Sequence, residues 1–216
     1  DADARGCRPL ADLLAEQELR ETIRIIAEFA EDQNRRGLAL LNAGRFAEAE
    51  ARFQKAVRIK SDYAEAHYNL GRVRGRQGGR LAEAVASYRE ALRRRPDYWE
   101  AQVAVGRALA QMPDREMEAI LELRRAVAMR PDLAEVRCAL GDVLARSAGF
   151  RFSAQAEYVN ALRLDPNYAP AHLALGLILA ETPGREAEAI MHLDAGLRGQ
   201  PESTAARAAL ARLKGR

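Results

Sequence analysis

The sequence predicts an all-α fold, a solenoid of antiparallel helical hairpins, on three observations. A small set of residues recurs every 34 or 35 positions along most of the chain. Proline stands at the same place in successive copies, and neither proline nor the residue before it continues a helix. Alanine is abundant while aromatics make up only 6% of the 216 residues, a composition that suits close helix packing and lacks the β-branched runs of strands.

The repeat is read column by column. Leu70-Gly71, Val105-Gly106, Leu140-Gly141 and Leu175-Gly176 recur every 35 residues, and Gly37 precedes Gly71 by 34. Ala49, Ala84, Ala119, Ala154 and Ala189 follow in a second column, each four residues before a large residue: Phe53, Tyr88, Leu123, Tyr158 and Leu193. Ala56, Ala91, Ala126, Ala161 and Gly196 come next, then Ser61, Pro96, Pro131, Pro166 and Pro201. Small residues in two helices let them approach, and the large residue fills the space between. The acidic and amide residues beside the prolines, Asp97, Asp132 and Asn167, are placed to cap the helix that follows.

This defines five hairpins, 30–63, 64–98, 99–133, 134–168 and 169–203, each with a first helix A of about 13 residues and a second helix B of about 15. Residues 204–216 begin a sixth helix A and stop, which covers the last apolar face as terminal units must. Residues 1–29 are not a repeat. Leu19, Ile23, Ile26 and Ala30 follow helical spacing, so a helix here caps or docks, burying those side chains against the first hairpin or another chain. Whether residues 9–43 form one helix or two stays open.

The pattern resembles the tetratricopeptide repeat family over roughly residues 30–214: Leu-Gly in helix A, then alanine, a large residue and alanine in helix B, then proline. The resemblance implies a right-handed superhelix whose A helices line a concave groove. Four repeats have 35 residues rather than the family's usual 34, the extra one falling in the A–B turn at Gly78-Gly79, Met112-Pro113-Asp114, Ala148-Gly149 and Thr182-Pro183-Gly184. The first hairpin matches least well, with Arg36 where the others place Leu or Val.

By that resemblance the groove carries Asn34, Leu38, Leu41 and Asn42 in the first repeat and Glu65, Tyr68, Asn69, Arg72 and Arg76 in the second. The third offers Glu100, Val103, Ala104, Arg107 and Gln111, the fourth Glu135, Cys138, Asp142 and Arg146, and the fifth Leu173, Ala174, Leu177 and Glu181. Amides suit a peptide backbone, and Arg72, Arg76 and Arg107, with Arg107 expected beside Arg72, suit ligand carboxylates. Glu65, Glu100 and Asp142 are the internal alternatives. A chaperone-tail clamp is excluded, because Asn34, Leu38, Asn69, Glu100 and Ala104 occupy its positions and only Asn69 agrees.

Chemistry is absent from the sequence motifs. No metal, redox or phosphate-cradling spacing occurs, and Cys7 and Cys138 read as separate free thiols. His67 and His172 share one repeat position, with His192 the third histidine, and structural use is expected of them. The run Gly71-Arg-Val-Arg-Gly-Arg-Gln-Gly-Gly-Arg80 has the look of an RNA-binding segment, but repeat register explains its glycines, and Arg93, Arg94 and Arg95 belong to another face. A nucleic-acid partner is therefore not expected. No run of 18 apolar residues exists, so no membrane span is expected, and the Asp1-Ala-Asp-Ala start shows no leader. With 48% hydrophobic and 30% charged residues and a net charge of +3, the chain reads as a soluble protein, cytoplasmic or periplasmic.

The expectation is a non-enzymatic, bacterial-type interaction scaffold or assembly factor without cofactors. It would hold a peptide or protein segment with acidic and apolar parts. The alternatives are the regulatory or substrate-recruiting portion of a larger enzyme, and a self-assembling scaffold using its terminal helix.

Overall fold

The computed structural model describes residues 10–215, with side chains from residue 14 on. Among the described residues every regular element is helical: α1 (Leu10–Asn42), α2 (Phe46–Ile59), α3 (Ala64–Arg76), α4 (Leu81–Arg94), α5 (Trp99–Leu109), α6 (Glu116–Met129), α7 (Ala134–Arg146), α8 (Arg151–Leu164), α9 (Ala169–Leu179), α10 (Glu186–Gly199) and α11 (Thr204–Lys214). They form two compact units. The first ends at Pro96 and holds two hairpins, α1–α2 and α3–α4; the second begins at Asp97 and holds three, α5–α6, α7–α8 and α9–α10, followed by α11.

Each hairpin closes on the contact its repeat predicts. A Cβ built on the helix A glycine would lie 2.6 Å from Phe53 at Gly37, 2.4 Å from Tyr88 at Gly71 and 2.5 Å from Leu123 at Gly106. The same distance is 2.6 Å to Tyr158 at Gly141 and 2.8 Å to Leu193 at Gly176. Only glycine lets the backbone of helix A rest on the large side chain of helix B. Ala49, Ala84, Ala119, Ala154 and Ala189 are fully buried beside these contacts. In the last hairpin Gly196 replaces the second alanine, and Leu173 fills the room, 2.5 Å from where a Cβ would stand.

The A–B turns share one left-handed residue, at Gly44, Gly79, Gly149 and Gly184, with Asp114 (φ 56°) holding the place in the third hairpin. Helix B ends in an extended residue such as Arg95, whose N–H still donates to Ala91 O, and the proline position follows. The capping expectation fails. The residues at the starts of α3, α5, α7 and α9 are Tyr63, Tyr98, Leu133 and Tyr168, and no side chain caps them. Asp97, Asp132 and Asn167 each fall one place too early, and in the last of these turns Asp165 accepts from the N–H of Asn167.

The N-terminal region departs further. Residues 10–42 form one continuous helix of 33 residues. Leu19, Ile23 and Ile26 are 60%, 57% and 44% exposed, so the first hairpin does not bury them. The reason is length: α2 is a 14-residue helix and covers α1 only from the fully buried Ala30 onward. At the other end Ala206, Ala209 and Leu213 of α11 are buried, and α11 packs on α9 and α10. Cys138 is a buried free thiol; Cys7 and Pro9 lie outside the described residues.

Candidate functional site

In the first unit, α1 and α3 lie side by side and share a polar chain. Asn34 Nδ2 donates to Tyr63 Oη at 3.3 Å, Asn69 Nδ2 donates to Asn34 Oδ1 at 3.0 Å, and Arg72 Nη1 donates to Asn69 Oδ1 at 3.0 Å. The Arg72 guanidinium also lies 5.8 Å from the Tyr68 ring centroid, and Tyr68 stacks at 5.6 Å on Tyr88. Asn34 and Asn69 are buried, Arg72 and Tyr68 half-buried, and Arg76 exposed one turn further on. Asn34 and Asn69 stand 35 residues apart, so the repeat itself puts one carboxamide against the other. Leu38 packs on the Leu41–Phe53 core, and Asn42 is exposed at the end of α1.

In the second unit the corresponding face belongs to α5, α7 and α9. Val103 and Leu173 are buried in the core, Leu177 is half-buried, and Arg107 and Gln111 are exposed. Gln111 turns its amide onto its own helix, donating to Arg107 O at 3.0 Å. Asp142 accepts from Tyr158 Oη at 3.0 Å. Burial raises the Asp142 carboxyl above its ordinary value, opposed by that hydrogen bond and by the charges of Arg107 and Arg146. Arg107 therefore has within its electrostatic reach Asp142, one of the internal alternatives to a ligand carboxylate. Burial pushes the Cys138 thiol up to about 12, which removes it as a nucleophile. Tyr168 also rises to about 12, chiefly by burial.

Two polar systems escaped the sequence reading. Glu50 of α2 accepts from Arg74 Nε at 2.9 Å and from Arg80 Nη1 and Nη2 at 2.7 and 2.9 Å, while Arg74 Nη1 reaches Ser87 Oγ at 2.8 Å. The hydrogen bond from Arg80, aided by Arg74, holds Glu50 at a pKa of about 2. Two arginines of the Gly71–Arg80 run are thus engaged by a carboxylate, which locks the two hairpins of this unit. The second system pairs residues twenty apart within a hairpin: Gln102 Nε2 with Glu122 Oε2 at 2.6 Å, Arg137 with Glu157 at 3.2 Å, and His172 Nδ1 with His192 Nδ1 at 2.8 Å. Polar residues recurring at that interval were the available signal. A cleft of about 480 Å³ also opens between α2 and α4 over α3, lined by Arg58, His67, Arg74, Ser87, Glu90 and Arg93. It shares no residue with the face that carries Asn69 and Arg72.

Among the described residues no group of three or more His, Cys, Asp or Glu is placed to hold a metal ion, and no helix is long and apolar enough to cross a membrane.

Comparison with known proteins follows the same lines. A TPR repeat model matches residues 37–78, and a tetratricopeptide repeat model matches 76–132. No curated protein sequence matches the chain. Among solved structures, the thermophilic TPR protein TTC0263 of Thermus thermophilus is 23% identical, with 87% of this chain and 100% of that one covered at a TM-score of 0.68. Pseudomonas aeruginosa PilF is 22% identical over 88% of this chain and 85% of its own, with a TM-score of 0.77. YrrB, described as a TPR protein with an unusual peptide-binding site, is 24% identical over 88% and 96%, with a TM-score of 0.60. With its helix A glycines seated on helix B side chains and proline after helix B in four of the five hairpins, the chain carries tetratricopeptide repeats over residues 37–132 and has the tetratricopeptide repeat fold, one that serves protein–protein interaction.

Proposed function

We propose that the chain is a non-catalytic scaffold whose A helices receive an extended segment of a partner protein. The observation that carries this reading is the Tyr63–Asn34–Asn69–Arg72 chain on α1 and α3. Asn34 and Tyr63 hold Asn69, Asn69 holds Arg72, and Tyr68 lies under the guanidinium, so a cation is pre-positioned at the surface at little further entropy cost. Arg76, one turn on, adds a second. A carboxylate-bearing segment is the ligand these groups fit. The peptide-binding site named for YrrB supports the class of ligand, not its identity.

The test captures partners from a cell extract with the intact chain and with an Arg72→Glu/Arg107→Glu variant, then measures affinity for whatever is captured. The reading expects the variant to keep full helicity, to bind at least tenfold more weakly, and the parent complex to weaken with added salt. A variant that binds as tightly as the parent removes the A helices as the recognition surface.

A further inference from the structure

We infer that the cleft between α2 and α4 binds a phosphate group. The cleft shares no residue with the Tyr63–Asn34–Asn69–Arg72 chain of the proposed function.

The repeat shows why a cleft opens here. Three later hairpins are each closed by two side chains twenty residues apart: Gln102 with Glu122, Arg137 with Glu157, and His172 with His192. His67 and Ser87 hold those two places in the second hairpin. Ser87 is too short to complete the pair. Its hydroxyl donates to Glu83 O at 2.8 Å and accepts from Arg74 Nη1 at 2.8 Å. A second column departs with it. Leu109, Leu144 and Leu179 are no more than 2% exposed in the later hairpins, and Arg74 stands at their position, its guanidinium turned to Glu50 at 2.9 Å. Without the bridging pair and without the leucine, about 480 Å³ opens between the two B helices over α3.

His67 is one half of an unfinished pair. Its Nε2 donates to Ser61 O at 3.1 Å, as His172 Nε2 donates to Pro166 O at 2.9 Å. A carbonyl oxygen only accepts, so neutral His67 carries its proton on Nε2 and a lone pair on Nδ1. In His172 that nitrogen meets His192. In His67 it has no hydrogen-bond partner among the described residues.

Charge selects the ligand. The lining carries three guanidinium groups, Arg58, Arg74 and Arg93, against one carboxylate, Glu90, which Arg93 and Arg94 hold. Glu50, behind Arg74, is balanced by Arg80 at 2.7 Å. Arg58 is exposed and forms no ion pair among the described residues. Three cations against one anion leave an excess that a phosphate dianion matches, and phosphate oxygens suit guanidinium forks. Burial, then the charges of Arg94, Arg93 and Arg74, hold the His67 imidazole below its ordinary value, against its bond to Ser61. A bound dianion offsets those charges, so His67 takes up a proton on Nδ1 and donates it to a phosphate oxygen. Val57, Leu70 and Ala86 give the cleft an apolar wall. A phosphate ion leaves that wall uncovered, whereas a phosphate monoester lays its organic group on it.

The test is calorimetric titration of the full chain with inorganic phosphate and with phenyl phosphate at constant ionic strength, the His67 ring being followed by NMR. Both probes are expected to bind, phenyl phosphate at least tenfold more tightly, and the His67 pKa is expected to rise on binding. Arg58→Gln alters an exposed side chain outside every ion pair, so the fold should hold while phenyl phosphate binding falls about tenfold. Ser87→Glu supplies the carboxylate that Glu122 and Glu157 place in the same column. It should close on His67 and Arg74, keep or raise the melting temperature, and abolish binding. A parent that binds neither probe, or a pair of variants that both bind as the parent does, would overturn the site. Binding that leaves the His67 pKa unmoved would also overturn it, because the phosphate would then sit elsewhere on the chain. Equal affinity for the two probes would overturn the ester and give the cleft to the free ion.

Discussion

Gly71 of α3 lies so close to Tyr88 of α4 that a Cβ there would stand 2.4 Å from Tyr88 Cε1. The hairpin is closed by an aromatic ring resting on bare backbone, and four other hairpin contacts copy the arrangement. Gly71→Ala improves helix propensity by about 1 kcal/mol but forces the buried ring aside, an overpacking cost of about 1–3 kcal/mol. The variant is expected to melt lower by chemical denaturation. A Gly71→Ala/Tyr88→Ala double variant should lose less than the sum of the two single losses, because the smaller side chain makes room for the new methyl. Additive losses would show that the contact is not what closes the hairpin. Ala154→Leu, at a fully buried position in the second unit, is expected to cost about 1–3 kcal/mol for the same reason.

The left-handed turn position offers a cleaner test, because nothing lies within 4 Å of a Cβ at Gly149. Steric crowding is absent and only backbone conformation acts. Gly149→Ala should therefore cost about 1–2 kcal/mol. Asp114, held at φ 56°, already tolerates that conformation, and Asp114→Gly should leave stability equal or higher. Equal effects from both substitutions would mean the turns relax independently of this residue.

Stability should fall with acid in two steps of known sign. His172 Nε2 lies 2.9 Å from Pro166 O, which can only accept, so Nε2 carries the proton and neutral His172 accepts from His192 through Nδ1. Burial, then the adjacent His172, hold His192 below its ordinary 6.5, against the attraction of Glu188 and with a further push from Arg185. The unfolded chain thus binds a proton that the folded hairpin resists, and stability is lost as pH falls below about 6.5. Glu50 acts lower down. Its folded value of about 2 against an ordinary 4.5 gives stability that is present above 4.5 and lost as pH falls toward 2. Denaturant melts across pH should show both steps, with His192→Gln shrinking the upper one, to which His67, lowered by burial, also contributes, and Glu50→Gln shrinking the lower. The two residues lie in different units, so each variant should act on its own unit.

Much of this architecture was legible in the sequence because the repeat is a packing rule written in residue size. Gly71 and Tyr88, or Gly141 and Tyr158, can be paired from spacing alone, since a residue without a side chain has one use in mid-helix. The polar contacts were harder. Register puts Asn69 one repeat after Asn34, yet its bonds to Asn34 and Arg72 depend on neighbouring repeats meeting at hydrogen-bond distance, which size patterns do not encode. Glu50 was invisible for the opposite reason: later repeats carry Val85, Ile120, Gln155 and Ile190 at its position, so its ion pairs belong to one junction only. Val103 and Leu173 were assigned to the groove by position but are buried, Leu173 over the bare backbone of Gly196 in its own hairpin. The exposure of Leu19 and Ile23 could not be read from periodicity, which shows that a helix has an apolar side and not whether anything covers it.

The Asn34–Asn69 bond separates a structural role from a recognition role on the α1–α3 face. Asn69 is buried, donating to Asn34 and accepting from Arg72, so Asn69→Ala leaves Asn34 Oδ1 without its donor and costs about 1–3 kcal/mol of stability in the first unit. The same change frees the Arg72 guanidinium, which then samples many orientations over Tyr68. If the pre-positioned cation is what a partner carboxylate meets, Asn69→Ala should weaken binding several-fold at a temperature where the variant is fully folded. Arg72→Lys should also weaken it, keeping the charge but losing the fork. Arg72→Ala should reduce the salt dependence that the parent shows, leaving only the share that Arg76 carries. Binding that follows the melting curve alone, with Arg72→Lys and Arg72→Ala both equal to the parent, would confine the Tyr63–Asn34–Asn69–Arg72 chain to holding two hairpins together.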